Sequence, residues 1–219
     1  MMIWDVAFFS IMVGCGEQYL SAFAVALGFS PTVSGLITTV PLLCGAALQT
    51  ISPWAVAKLG SHRKWVVGCS AVQAVAFLPL AIAAAIGAMP VWLLFVVAGF
   101  YWGAGLAAGP AWNAWVSNVI PTDIRSHYLA RRTRIGQFCL LMAYVLGGLV
   151  LQYGKANDAT MTVFMVIFAV AGACRMISVL CLAAKTEPRA LAKPATVDAR
   201  SCAVCGAAAA RGRCWPTFG

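Results

Sequence analysis

The sequence predicts an all-α fold, a polytopic membrane helix bundle of six transmembrane helices, on three observations. Of the 219 residues, 62% are hydrophobic and 10% charged, against roughly 25% charged in soluble chains, and mean hydropathy is +0.88. Apolar runs of about 20 residues recur along the chain, the length that crosses a bilayer core as a helix. The period-2 alternation that a membrane β-barrel requires is missing.

Segment 1 covers about residues 4–28 and ends at the Gly28-Phe29-Ser30-Pro31 turn. It has no basic n-region, is too long for a signal peptide and carries Glu17, so it is expected to stay as a helix. Segment 2 spans about 33–57, with Pro41 inside it and Pro53 near its end. Segment 3 spans 65–87 with Pro79 in its second half. Membrane helices tolerate such prolines because neighbouring groups satisfy the freed carbonyls. Segments 4, 5 and 6 cover about 91–119, 135–153 and 160–184. Residues 189–219 are rich in Ala, Arg and Cys with no apolar face. They read as a disordered cytoplasmic tail or as a stretch translated in a shifted frame.

Orientation follows from the basic residues. Lys58, Arg63 and Lys64 lie between segments 2 and 3, and Arg125, Arg131, Arg132 and Arg134 between segments 4 and 5; the opposite loops hold only Lys155. The positive-inside rule then places both termini in the cytoplasm of a cell (plasma or inner) membrane. Trp4, Trp54 and Trp65 fall at the expected inner boundary and Trp92 at the outer, as an aromatic belt. The net charge of +9 is thereby assigned to membrane lipid headgroups rather than to nucleic acid.

Cys15, Cys44, Cys69, Cys139, Cys174 and Cys181 sit in apolar segments, where a thiol packs as a small hydrophobe. Cys202, Cys205 and Cys214 lack a fourth ligand for zinc. No metal and no cofactor is expected. His62 and His127 both lie in loops, and no HExxH or Walker motif occurs, so no enzyme is expected.

Ionisable residues inside a membrane are costly and point to function. Glu17 is 13 residues into segment 1, hence roughly 20 Å from its inner end at ~1.5 Å per residue, close to the midplane. Ser10, Gly14, Glu17 and Ser21 follow helical spacing, a polar, small-residue stripe expected to face a cavity or another helix. Arg175 lies in segment 6, slightly to the inner side of its centre. Against a functional reading stand two plainer ones, a Glu17–Arg175 pair that only holds the bundle together, or Arg175 snorkelling to the headgroups. Asp5, near the inner boundary, reads as a solvated interfacial group. Counting inward from Trp92 puts Tyr101 and Trp102 level with Glu17 as pocket candidates, and Trp112, Asn113 and Trp115 at the cytoplasmic rim. Gly99, Gly103 and Ala107 form one small-residue row and Gly105 and Gly109 another, which allow close helix approach.

The segments GCGEQYLSAFAVALG (14–28), VAKLGSHRKW (56–65) and PAWNAWVSNVIPTDIRSHYLARRTRI (110–135) resemble the N-terminal six-helix half of a major facilitator superfamily transporter, of a poorly characterised bacterial branch. The resemblance covers about residues 4–188. It implies two inverted three-helix repeats, with Gly14-Cys15-Gly16 and Gly103-Ala104-Gly105 at comparable places. Gly60, Arg63 and Lys64 match the family's loop 2–3 motif, while Pro53 and Ala57 stand where that motif has Gly and Asp. Gly99 or Tyr101 occupies the place of the helix 4 arginine linked to proton coupling, and Ala143-Tyr144 replaces the Gly-Pro of the helix 5 antiporter motif.

What the resemblance implies is a secondary active transporter of a small solute, with its site between two halves at the midplane. Glu17 would bind H+ or Na+. Ser21, Tyr101, Trp102 and Arg175 would serve substrate or coupling. Gly60, Arg63, Lys64, Asn113, Arg125 and Arg131 would serve the cytoplasmic gate and topology. The partner would be a missing C-terminal half or a second copy. The other readings are a non-transporting membrane fragment, an accessory six-helix bundle or a homodimerising half-transporter.

Overall fold

A computed structural model describes residues 2–185. The stretch 189–219, with its expected disorder or shifted frame and its three cysteines, lies outside the described residues. So does the Thr186-Glu187-Pro188 end of the family resemblance.

The described chain is helix almost throughout and none of it forms a strand. Among the described residues, six helices are long and apolar enough to cross a membrane. The first is α1 (Met2–Cys15), a 3₁₀ turn (Glu17–Tyr19) and α2 (Leu20–Ala26). Gly16 stands at the break, where a Cβ would lie 2.6 Å from the Phe77 ring and 2.8 Å from Ala171. The expected stripe is therefore split. Ser10 and Gly14 turn to the fifth span, against Gly136 and Leu140 respectively, while the 3₁₀ turn swings Glu17 toward the fourth.

Ser30 caps the next helix, its hydroxyl accepting from the Val33 N–H at 3.3 Å, and Pro31 opens α3 (Pro31–Leu48). A 3₁₀ turn (Gln49–Ile51) joins α3 to α4 (Ser52–Leu59). Pro53 explains it, since it has no N–H to return to the Gln49 carbonyl. Gly60 closes α4 at φ +63, a conformation that costs any side-chain-bearing residue. Ser61 then caps α5 (His62–Ile86) by accepting from the Lys64 N–H at 3.1 Å, so the third span starts three residues before Trp65. The fourth span is α6 (Val91–Val119) and the sixth α8 (Thr160–Ala183).

The fifth span departs most from expectation. α7 runs from Thr122 to Ala156, starting 13 residues before Ile135. After Pro121 there is no breaker, and Asp123 in the first turn suits the helix dipole. The basic run is thus a helical face rather than a loop, and its register carries Arg132 back into the bundle.

α1 packs on α7 and α8, α5 on α6 and α8, and α3 on α6. Close approach of α3 and α6 rests on Gly45, where a Cβ would stand 2.9 Å from the Trp102 carbonyl. Of the two small rows on α6, Gly103 faces Leu48 and Gly105 faces Gln73, whereas Gly99 and Gly109 meet nothing within 4 Å. Trp4, Trp54 and Trp92 are exposed. Trp65 instead turns inward, donating from Nε1 to Ser52 Oγ at 3.1 Å and to the Ala107 carbonyl at 3.0 Å. One indole thereby ties the second, third and fourth spans. Trp65→Phe is expected to cost about 1–3 kcal/mol, because the fully buried Ser52 hydroxyl loses its partner. Chemical unfolding of the detergent-solubilised chain reads this directly.

The two ends of the bundle differ. Away from the basic turns, Phe23, Phe164 and Phe168 lock together with ring centroids 5.0–6.1 Å apart, and Phe77 meets Tyr101 edge-on at 5.4 Å. Toward the basic end the interior is polar.

Candidate functional site

The cavity opens where α1, α5, α6 and α8 converge at the basic side of the ring cluster, with one residue, Arg132, from α7. Its volume is about 310 Å³. Glu17 and Trp102 mark the deep end, Asp5, Arg132 and Asn113 the other. The family resemblance puts the solute site between two halves; this cavity is lined within a single six-helix bundle.

Its polar walls form a connected network. The buried Tyr101 hydroxyl donates to Glu17 Oε2 at 2.7 Å and lies 3.2 Å from the Met12 sulfur. Gln73 Nε2 donates to the Tyr101 carbonyl at 3.2 Å, and Gln73 Oε1 accepts from Arg175. The Arg175 guanidinium also donates to Ser70 Oγ at 2.9 Å and to Ser178 Oγ at 3.3 Å, with the Phe9 ring 4.8 Å away. Ser178 donates to Asp5 Oδ1 at 2.8 Å. Asp5 Oδ2 accepts from Lys185 at 2.9 Å and faces Arg132 at 3.7 Å. Arg132 in turn lies over the Trp112 ring at 4.3 Å.

Sequence structure explains the assembly. Ser70 and Gln73, like Arg175 and Ser178, are three residues apart and so share a helix face. Gly105 leaves room for the Gln73 amide, since a Cβ there would fall 2.4 Å from its nitrogen. Without these partners a guanidinium 5% exposed would be prohibitively costly.

Several expectations need correcting. Glu17 and Arg175 do not pair; each has its own partners. Nor does Arg175 snorkel, being buried among α1 and α5 side chains. Asp5 is not solvated but 3% exposed and holds the network's basic end together. Asn113 and Trp112 line the same cavity as Glu17 and Trp102, so the division into a midplane pocket and a separate rim was too sharp. Ser21, a turn beyond the break on α2, does not line it.

The basic-end residues have structural partners. Arg63 donates to the Ala183 carbonyl, and Arg125 to the Ser117 and Ile120 carbonyls at 2.7 and 3.0 Å. They close the C-termini of α8 and α6, where cations are favoured. Lys64 and Arg131 are exposed.

Sequence reasoning passes over Ser70, Gln73, Ser178 and Lys185, and it gives Asp5 and Arg132 only interfacial and loop roles. The available signal was the two three-residue polar spacings in otherwise apolar segments 3 and 6. Among the described residues no three His, Cys, Asp or Glu side chains converge as metal ligands.

Six apolar spans around a charged internal cavity define a multi-pass membrane protein whose interior can hold a polar guest. Residues 6–213 match the sequence model of the Major Facilitator Superfamily, and the chain belongs to that family. It is thus a membrane transporter of the major facilitator type. No curated protein and no solved structure matches it.

Proposed function

We propose that the chain is a secondary active transporter of a small solute, with Glu17 as the proton- or cation-binding group. The observation that carries this reading is a carboxylate beside a 3₁₀ break at the deep end of a polar cavity, held by one buried hydroxyl. Breaks in membrane helices serve ion sites where they line a cavity. Tyr101 positions Glu17, Trp102 walls the pocket, and Arg175 contacts solute or balances charge. Ser21 has no support from the cavity and drops behind these.

The packing pairs support two inverted three-helix repeats. Exchanging spans one and four, two and five, and three and six converts the α1–α7 pair into α6–α3, and α1–α8 into α6–α5. The basic turns support cytoplasmic termini in the cell's inner membrane. The family resemblance supports a second six-helix bundle beside this one, as a C-terminal half or a second copy.

The test is flux through the full chain in proteoliposomes under an imposed pH or Na+ gradient, with a pH dye inside and a solute panel outside. Glu17→Gln should retain solute exchange and lose at least tenfold of gradient-driven accumulation. Accumulation with an unchanged pH profile would remove the coupling role. Absence of any solute-dependent flux favours a non-transporting or accessory bundle instead.

A further inference from the structure

The charges that line the cavity balance, two carboxylates against two guanidiniums, but a buried lysine behind Asp5 tips the cluster. α1 and its 3₁₀ turn bring Asp5 and Glu17, α7 brings Arg132, and α8 brings Arg175; α5 and α6 line it with uncharged groups. Lys185 joins through Asp5. Among the described residues the cluster therefore holds three cations and two carboxylates, and both oxygens of Asp5 are already engaged. The hydrogen bonds show the same surplus of donors. Among the described residues, Arg175 Nε and Trp102 Nε1 are buried with no acceptor, although both side chains line the cavity. Burying a donor without a partner is costly, and a bound acceptor would relieve that cost.

Ser70, Gln73 and Asn113 add neutral polar groups, and the rest of the wall is mostly apolar and aromatic, with Phe9, Val66, Leu106, Trp112 and Leu182. One surplus positive charge, two waiting N–H donors and an apolar lining describe a guest.

We propose that the cavity takes a small organic monocarboxylate, its carboxylate answering the free N–H groups of Arg175 and Trp102 and its apolar body lying on Phe9 and Trp112. With Glu17 ionised, the monoanion cancels the cluster's one surplus charge, whereas a dianion would exceed it and a cation would add to it. Removing a charge from water into such a site is favourable only when it is both paired and hydrogen-bonded. This inference rests on reading the cavity as the solute site of the transporter.

Calorimetric titration of the purified full chain in detergent tests it. The probes are acetate, benzoate and indole-3-acetate, each with its primary amide, and benzamidine as a cation of matched shape. At least one carboxylate should bind saturably, its amide at least tenfold more weakly, and benzamidine not at all. Arg175→Gln should weaken carboxylate binding tenfold or more. Trp102→Phe, which removes the N–H and keeps an aromatic ring, should weaken it several-fold. If Arg175→Gln does not fold, Trp102→Phe and the acid–amide comparison decide.

The inference is overturned if no carboxylate binds, if an amide or benzamidine binds as well, or if the folded variants bind like the parent. Flux separates it from the transport reading. Carboxylate binding without flux in proteoliposomes would sink transport and keep the site. Flux of a neutral or cationic solute, with no carboxylate bound, would do the reverse.

Discussion

Asp5→Ala is expected to destabilise the bundle by about 3–5 kcal/mol, the scale for removing one member of a buried ionic cluster. The loss comes from what remains. Lys185, itself buried, would keep its charge with no counter-ion, Arg132 would lose the carboxylate 3.7 Å away, and Ser178 would lose its acceptor. Unfolding in detergent should show the effect, and Asp5→Ala combined with Lys185→Ala should recover part of it. A single variant within about 1 kcal/mol of the parent would mean that water, not protein, solvates Asp5.

Gly14→Leu should be worse still. A Cβ at Gly14 would stand 2.5 Å from the Leu140 carbonyl oxygen and 2.9 Å from the Ala143 Cβ. Neither can swing aside as the end of a long side chain could, so α1 and α7 must separate. Gly14→Ala alone should cost about 1–3 kcal/mol, the range for overpacking a well-filled contact, and Gly14→Leu should leave no folded monomer in size-exclusion chromatography. Gly68, in the second turn of α5 with nothing within 4 Å, is the control. Gly68→Ala should stabilise by about 0.5–1 kcal/mol through helix propensity alone. Equal effects at both sites would refute close approach at Gly14.

These contrasts show how far the sequence could be read. Length and hydropathy were enough for six spans because a bilayer imposes one length on every crossing helix. Counting depth placed Glu17 and Tyr101 at one level, and the two are hydrogen-bonded. Depth is only one coordinate, however. Rotation about the helix axis, which decides partners, was lost at Gly16, where the 3₁₀ turn breaks the 3.6-residue register assumed for the Ser10–Ser21 stripe. Charge misled at the fifth span. Clustered arginines read as a loop, yet a long guanidinium stem can reach from a helix into the interior, as Arg132 does. Asp5 reads as interfacial from its position near the inner boundary. Its burial depends on Ser178 and Lys185, and no local pattern announces a contact across 173 or 180 residues.

That separation also sets a timetable. At ~5–20 residues per second, ribosomal synthesis needs roughly 10–40 s to travel from Asp5 to Lys185. Through that interval the first span is already made while the lysine that will neutralise it is still unmade. Its charged end must wait within reach of water or of an insertase. Only when the sixth span arrives can the first one settle, so the opening helix is among the last to reach its final place.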